Sequence, residues 1–535
     1  MGTIKTDVCV IGSGFGGSVS TLRMTQAGAK VTLLEMGHRW DSVLNPAWTG
    51  YPDVRIYEQK LGDLGYWMDW FNIAAGVNLL SNSVYAVISG RGLGGGSLVY
   101  SGVSLRAPSL VFDEGWPSGV DRTELDPYYT KVEDQLRINQ FTWNSVGYKD
   151  GLFGWAAKNA GVSVDPHPSV IDKQICGSLG WCNTGCLRGA KQTIDRTCVK
   201  PAEDAGAQVI TGAMALEIAP EAGGKWRVTY TQSSDPRVPN ELWDGSPSYV
   251  VAEKVIISAG AVNSPTLLMR SAHNLSGGLS EQIGKNLSVN GDSVVIAILP
   301  EDLPEEVALP LEVPEKKYIG PMVIGPDDGV TCFQYVFEPP PGFGSDWRKF
   351  VLQPVRLLPI AAALTLDPNG LKNPSGNMET FGVGPKHLME HYGRRMLQIG
   401  VMGQDGMDGQ VSLTVAGTPT VSFNVSQQTR DVWAAARAGV RQIIETGAGG
   451  KVLPTWDSYR PGDMFGIHPL GSCRMSDSVI GGVVRHDGAV WNPNGGVYEG
   501  LYVLDCSILA RPIIVNTSLT TAAVTERAMS LILGN

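Results

Sequence analysis

Apolar and polar positions follow several different periods along this chain, and each period predicts a different element. Near the N-terminus Val8–Ile11 is apolar, Gly12–Gly17 is glycine-rich, Ser18–Ala27 is compatible with a helix, and Val31–Leu34 is apolar again before Glu35. Short apolar runs punctuated by glycine read as buried strands around a helix. Asp121–Ile138 and Lys149–Gly161 carry helical patterns, while Gln208–Ala219, Lys225–Gln232 and Tyr249–Ser258 alternate or run apolar as strands do. Ser426–Ala448 predicts the clearest helix, with Val432, Ala435, Ala436, Val440 and Ile443–Ile444 along one face, and Thr517–Leu533 predicts another. From Tyr51 to Ser89 aromatic and polar residues mix without period, which predicts surface loops; Leu299–Leu358 is proline-rich and irregular.

Length and composition narrow the picture. The 535 residues exceed the roughly 250–300 that one core organises, so at least two packed regions are expected. Hydrophobic residues make up 43% and charged residues 18%, which suits a packed interior and excludes a disordered chain. A net charge of −10 argues against nucleic-acid binding, which needs clustered cations. No apolar run reaches the ~20 residues of a membrane span; Leu357–Leu366 comes nearest and holds Pro359. The chain enters strand-like sequence at Thr6 without a basic or apolar leader, which predicts a cytoplasmic protein, or a secreted one if a leader was removed. Eight cysteines (Cys9, Cys176, Cys182, Cys186, Cys198, Cys332, Cys473 and Cys506) are too few for a disulfide scaffold at this length, so buried thiols are expected.

Gly12-Ser13-Gly14-Phe15-Gly16-Gly17 follows a predicted strand and opens a predicted helix. The first glycine permits the turn, the second lets backbone approach a pyrophosphate, and the third allows close helix–strand packing. Free N–H groups at the helix start then face the phosphates. Glu35 stands 23 residues after Gly12 at the end of the second strand, where a carboxylate accepts ribose hydroxyls and repels a 2′-phosphate. NADP is therefore disfavoured, while FAD and NAD remain open on this motif alone.

The C-terminal third chooses between them. It contains His468-Pro469-Leu470-Gly471-Ser472-Cys473-Arg474-Met475, then Gly500-Leu501-Tyr502-Val503-Leu504-Asp505-Cys506-Ser507, then Val515-Asn516-Thr517-Ser518-Leu519-Thr520-Thr521-Ala522-Ala523 and Glu526-Arg527-Ala528. With Gly90-Arg91-Gly92-Leu93-Gly94-Gly95-Gly96-Ser97 and Gly260-Ala261-Val262-Asn263-Ser264-Pro265, the chain resembles the glucose-methanol-choline (GMC) family of FAD-dependent alcohol oxidoreductases. It looks most like the cholesterol-oxidase branch, on Leu34-Glu35-Met36-Gly37, the second glycine string, His468 in an H-P-L-G setting, and Asn516 where many relatives carry a second histidine. The resemblance implies an α/β fold: a Rossmann-like FAD-binding domain with an inserted α+β substrate domain on an antiparallel sheet. The expected division is 1–110, 190–300 and 460–535 for FAD, with 111–189 and 301–459 for substrate.

Its implied chemistry is oxidation of an alcohol to a ketone or aldehyde, with hydride passed to flavin N5 and O2 reduced to H2O2. Histidine titrates near neutrality and suits removal of the hydroxyl proton, so His468 is the candidate base. Asn516 is the candidate amide holding the substrate oxygen, and as asparagine it is also a natural cap for the last helix. For FAD the resemblance adds Gly94, Gly95, Gly96, Ser97, Val103, Ala215, Asp505 and Ser518 to Gly12, Gly14, Phe15, Gly16, Gly17 and Glu35. No histidine lies between His38 and His167, where relatives attach flavin covalently, so non-covalent FAD is expected. Tyr100 departs from the asparagine of close sterol-oxidase relatives and puts a phenol near the flavin, which leaves the electron acceptor open.

Cys176, Cys182 and Cys186 precede Gly189-Ala190-Lys191. Three thiolates so close suit zinc or an iron–sulfur cluster, yet no fourth ligand has ferredoxin spacing. A packed loop, with or without one disulfide, is preferred, and no metal is expected. Apolar stretches at Met322–Phe337, Phe350–Leu366 and Met396–Met402 suit a hydrophobic, sterol- or terpenoid-like alcohol, with transient lipid contact if the substrate is a sterol. Val336 falls where isomerising sterol oxidases carry a carboxylate, and Glu338 would serve only from a shifted loop, so isomerisation is expected to be weak. The alternatives are a dehydrogenase using a non-oxygen acceptor through the cysteines, a nicotinamide-dependent reductase, and a non-catalytic flavin binder.

Overall fold

A computed structural model describes residues 2–39, 71–78, 83–142, 148–162, 164–176, 182, 186, 189–232, 246–302, 333–334, 350–354, 395–453, 462 and 464–534. Its first sheet grows from the N-terminal pattern. Strand β1 (Thr3–Ile11) leads through the glycine turn into α1 (Phe15–Gln26) and β2 (Val31–Glu35). β1 and β2 are parallel, with Val8 opposite Val31. A hairpin follows, β3 (Phe71–Asn78) and β4 (Ser83–Gly90), in sequence expected to be surface loops. Next come α2 (Arg122–Gln135) and α3 (Tyr148–Asn159), close to their predicted bounds, with Asp121 capping α2 through the N–H of Glu124 at 2.8 Å.

The stretch expected as one strand at Gln208–Ala219 is two, β5 (Gln208–Thr211) and β6 (Ala213–Glu221). Gly212 between them adopts a positive φ of 63°, and its N–H donates to the Gly37 carbonyl at 2.9 Å. After β7 (Lys225–Gln232), β8 (Ser248–Ile257) and α4 (Gly260–Ser271), the chain enters a second sheet. That sheet joins β9 (Ser293–Ile298), β10 (Phe350–Pro354), β11 (Met396–Gly403) and a short strand at Lys451–Val452, antiparallel in the order β10-β11-β9-Lys451–Val452. Helix α5 (Gln427–Arg441) packs Val432, Ala436 and Val440 into this sheet's core, its first turn capped by Ser426 accepting from the Thr429 N–H. The predicted helix then widens into a π-turn at Gln442–Thr446, which buries Ile443 and Ile444.

At the C-terminal end β12 (Met464–Gly466) runs parallel to β4, β13 (Ala489–Trp491) pairs with β14 (Val497–Val503), and α6 (Thr517–Leu533) closes the chain. β14 adds to the first sheet beside β8, giving the parallel order β14-β8-β1-β2-β5 with β13, β7 and β6 attached antiparallel. Both chain ends thus build one sheet, and α1 packs against α6. Arg23 Nε of α1 donates to both carboxylate oxygens of Glu526, which is 1% exposed, at 2.8 and 2.9 Å, Arg23 Nη2 lies 2.7 Å from one of them, and Lys131 of α2 joins them at 2.7 Å. Breaking such a buried pair costs about 3–5 kcal/mol because it strands a charge.

Two stretches sit differently from the expected division. β9 lies inside 190–300 yet belongs to the second sheet, and Val111–Leu136 of the expected substrate part packs into the core of the first sheet. Met396–Met402, expected to line a pocket, is β11, with Met396, Leu397, Ile399, Val401 and Met402 buried as ordinary core. Val336 and Glu338, most of Met322–Phe337, residues 355–366 and Cys332 lie outside the described residues.

Candidate active site

The parallel strands reverse their order at β1, and sheets of this kind bind ligands at the C-terminal ends of the strands beside such a reversal. The glycine turn sits there. Gly12 has φ 96°, and a Cβ on it would meet the Ser258 carbonyl oxygen at 2.3 Å; on Gly16 it would meet the Leu504 oxygen at 1.9 Å. Gly14 differs, because a Cβ there meets nothing within 4 Å. As N-cap of α1 it offers no side-chain bond, and the first turn of α1 holds no acid. Packing therefore explains Gly12 and Gly16, whereas Gly14 borders open space at a helix N-terminus.

The second glycine segment closes against the first. A Cβ on Gly95 would lie 2.8 Å from the Gly14 Cα, while Gly96 also faces open space. Ser13 knits these parts together. Its hydroxyl donates to Glu35 at 2.5 Å and accepts from the Gly94 N–H at 3.0 Å, and its own N–H donates to the same Glu35 oxygen at 2.9 Å. The other Glu35 oxygen takes the Gly37 N–H at 2.7 Å. Ser97 turns inward, donating to the Gly94 carbonyl at 2.8 Å and accepting from the Ile194 N–H. Asp505 is spent on the chain itself: Ser264 and the Gly260 N–H donate to one oxygen at 2.5 and 2.9 Å, and the Ser507 N–H to the other. Burial pushes this carboxyl above its ordinary value. Ser518 donates to the carbonyl of buried Val103 at 3.4 Å, and Ala215 lies on β6 opposite Tyr230.

His468 and Asn516 meet. The Asn516 amide donates to His468 Nε2 at 2.9 Å, and although Asn516 occupies the cap position of α6, its side chain makes no capping bond. Behind the imidazole stands Asp292, which the sequence pattern did not single out. One oxygen accepts from His468 Nδ1 at 2.7 Å; the other accepts the N–H groups of Ile467 and His468 at 2.7 and 2.9 Å. A carboxylate only accepts, so Nδ1 carries the proton and Nε2 presents a lone pair.

Phe15 meets Tyr100 edge-on, with ring centroids 5.5 Å apart. Beside Tyr100 also stands Lys191, fully buried, whose ammonium lies 5.2 Å from the ring centroid and donates to the carbonyls of Cys182 (2.5 Å), Leu98 (2.9 Å) and Tyr100 (3.0 Å). Burial pushes Lys191 down to about 8, against the pull of Cys182, Cys186 and Asp195. Lys191 thereby staples the glycine segment to the cysteine loop. In that loop Cys182 and Cys186 pack with Phe141, Ile171 and Ala190, Cys176 lies partly buried alongside, and the described cysteines form no disulfide. Among the described residues no three His, Cys, Asp or Glu side chains converge as metal ligands.

The Tyr100 hydroxyl is buried and has no hydrogen-bond partner among the described residues, a condition that costs about 1–3 kcal/mol. Tyr100→Phe should therefore raise the stability of the cofactor-free protein by about 1 kcal/mol. Thermal melts with and without FAD check this, and a gain confined to the cofactor-free form would mean the loaded site gives the hydroxyl its partner.

Two GMC oxidoreductase family models match the chain, an N-terminal one over residues 6–290 and a C-terminal one over 406–525. A cholesterol oxidase of Mycobacterium tuberculosis is 29% identical across 98% of this chain and 90% of its own. One from Acinetobacter baumannii is 24% identical across 98% and 94%. The long-chain-alcohol oxidase FAO3 of Arabidopsis thaliana is 23% identical across 97% of this chain and 66% of its own. The crystal structure of pyridoxine 4-oxidase from Mesorbium loti superposes with a TM-score of 0.63, covering 99% of both chains at 16% identity, a likeness of fold.

Proposed function

This chain belongs to the GMC oxidoreductase family, and from that premise we propose that it oxidises a hydrophobic, sterol- or terpenoid-like alcohol to a ketone or aldehyde. The observation that carries the proposal is the Asp292–His468–Asn516 chain, with bonds of 2.7 and 2.9 Å. Nε2 carries no proton and holds the Asn516 amide N–H on its lone pair, so a substrate hydroxyl that displaces this bond loses its proton to Nε2 while the freed amide N–H of Asn516 holds the oxygen. Asp292 keeps the ring in this tautomer and steadies the positive charge the imidazole gains. His468 is then the one base of this pair, because an amide does not take a proton.

The glycine segments fit FAD. Gly14 and Gly96 leave room where Gly12, Gly16 and Gly95 do not, and the start of α1 offers uncapped N–H groups to a pyrophosphate. Phe15, Gly17, Ser97, Val103 and Ser518 would flank the cofactor, and Glu35 would accept a ribose hydroxyl at a lone pair its three protein bonds leave open. Ala215 would border the adenine and Asp505 would support the ribityl–phosphate segment through the backbone it organises. Bound non-covalently, FAD would supply the acceptor for the two electrons and carbon-bound hydrogen that leave the alcohol, with O2 as the final oxidant.

Relatives named as cholesterol and long-chain-alcohol oxidases support an apolar alcohol over a sugar. No helix among the described residues is long and apolar enough to cross a membrane, so a sterol would be taken up by transient contact with a lipid surface. Tyr100, packed on Phe15, favours a second reading in which another acceptor replaces oxygen. An anaerobic panel of sterols, terpenols, aliphatic alcohols and sugars, read by flavin bleaching, tests the substrate. Bleaching by an apolar alcohol is expected, and bleaching by sugars alone would overturn the proposal. Peroxide yield against dye reduction then identifies the acceptor.

A further inference from the structure

The turn 288–292 reaches both members of the His468–Asn516 pair. Asn290, held at φ 59°, turns its amide toward the backbone in front of Asn516. Its oxygen accepts the N–H groups of Ile513 and Ile514 at 2.9 and 3.0 Å, and its NH2 donates to the Val515 carbonyl at 2.8 Å. Two residues on, Asp292 grips His468 through its ring Nδ1 and its N–H, and takes the Ile467 N–H as well. The turn therefore sets how far apart the two side chains stand.

Beside the bonds from the Gly403 N–H to the Asn290 carbonyl and from Trp433 to the Gly291 carbonyl, the turn is held by a carboxylate that touches neither His468 nor Asn516. Asp405, 4% exposed in the loop after β11, accepts the Ser288 hydroxyl at 2.9 Å and the N–H groups of Val289 and Gly291 at 3.1 and 2.9 Å, all on one oxygen. Its other oxygen accepts the Met407 N–H at 3.0 Å. Three donors converging on one oxygen call for the full charge of an ionised carboxylate, since charge-assisted bonds are roughly twice as strong as neutral ones.

We infer that Asp405 is a positioning residue of this active site, whose ionised carboxylate clamps turn 288–292 and thereby fixes His468 and Asn516 at their working separation. The inference rests on the reading of His468 as the base. Burial pushes Asp405 up to about 6, with Asp408 raising it further and the bonds from Gly291, Met407 and Ser288 opposing. The ionisable groups around it are Asp408 on its own loop, held by Ser426 and Thr429, Asp292 on the turn, and His468 beyond. Because the folded value lies above the unfolded 3.8, folding takes up a proton between these values. This carboxyl favours the fold below that window, and the contribution is lost as pH rises through about 6. Turnover runs the other way, rising as the clamp ionises.

The test measures anaerobic flavin reduction by an accepted alcohol, and thermal midpoints of the cofactor-free protein, from about pH 5 to 8. The wild-type chain, Asp405→Asn, Ser288→Ala and His468→Ala are compared. Asp405→Asn should bind FAD normally, reduce it about 10–100-fold more slowly with little change in KM, and lose the share of the acid limb that Asp405 contributes near pH 6. Its midpoint should no longer fall across that window. Ser288→Ala keeps the carboxylate but removes a bond to its charged form, so its acid limb should move to higher pH; this variant carries the test if Asp405→Asn does not fold. A wild-type rate and acid limb in Asp405→Asn, or an unmoved limb in Ser288→Ala, overturns the clamp. If His468→Ala is inactive in that case, the clamp alone has failed; full activity in His468→Ala removes the base reading and the clamp with it.

Discussion

His468→Ala should slow alcohol oxidation by about 10²–10⁴-fold, the range a positioned general base contributes, while leaving FAD bound. The size follows from what the ring does. Asp292 occupies Nδ1 and Asn516 stands at Nε2, so the described site offers one basic nitrogen facing substrate, and Asn516 does not substitute for it. The retention of FAD follows from distance along the fold. The glycine segments are held by Ser13, Glu35, Ser97 and Lys191, none of which bonds to His468. Stopped-flow bleaching of the flavin under nitrogen measures the step directly, and the flavin absorbance of the purified variant measures retention. An unchanged bleaching rate removes His468 from the base role.

How much of this was legible in the sequence depended on how local the cause was. β1, α1 and β2 were readable because strand, glycine turn and helix follow one another within 35 residues, and α6 matched its apolar run, Thr517–Leu533. The hairpin β3–β4 was not. Outward positions on β4 such as Val84, Ala86 and Ile88 are as apolar as the inward Tyr85 and Val87, so no polar alternation marks the strand. His468 and Asn516 stood inside recognisable strings, but Asp292 meets His468 across 176 residues, and only folding brings them together. Asn290 and Asp405 act mainly on backbone groups, which leave no trace in side-chain pattern. Ser13 occupies a position the glycine fingerprint leaves unspecified, although its hydroxyl joins both glycine segments to Glu35. Glu35 was placed correctly at the end of β2; its bonds to Ser13 and Gly37 belong to tertiary structure.

Gly14→Ala and Gly16→Ala, two positions apart, should fail in different ways. A methyl group on Gly16 would lie 1.9 Å from the Leu504 oxygen and 2.7 Å from its carbon. That backbone cannot step aside, because the Leu504 N–H is bonded to Ile257 at 2.8 Å and its carbonyl to Ser258 at 2.7 Å. α1 would have to lift from the sheet, at more than the roughly 1–3 kcal/mol of ordinary overpacking, so the cofactor-free protein should melt lower or fail to fold. Gly14 has φ −66° and open space around it, so alanine fits the fold and the cofactor-free melting point should stay unchanged. The methyl group would instead occupy the space through which a pyrophosphate approaches, and FAD affinity should fall at least about tenfold, or ~1.4 kcal/mol. Melting the cofactor-free variants and titrating FAD into each by fluorescence separates the two effects. Wild-type FAD affinity in Gly14→Ala would remove the phosphate site from this turn, and a stable Gly16→Ala would mean that α1 and β14 are not packed as closely as the structure has them.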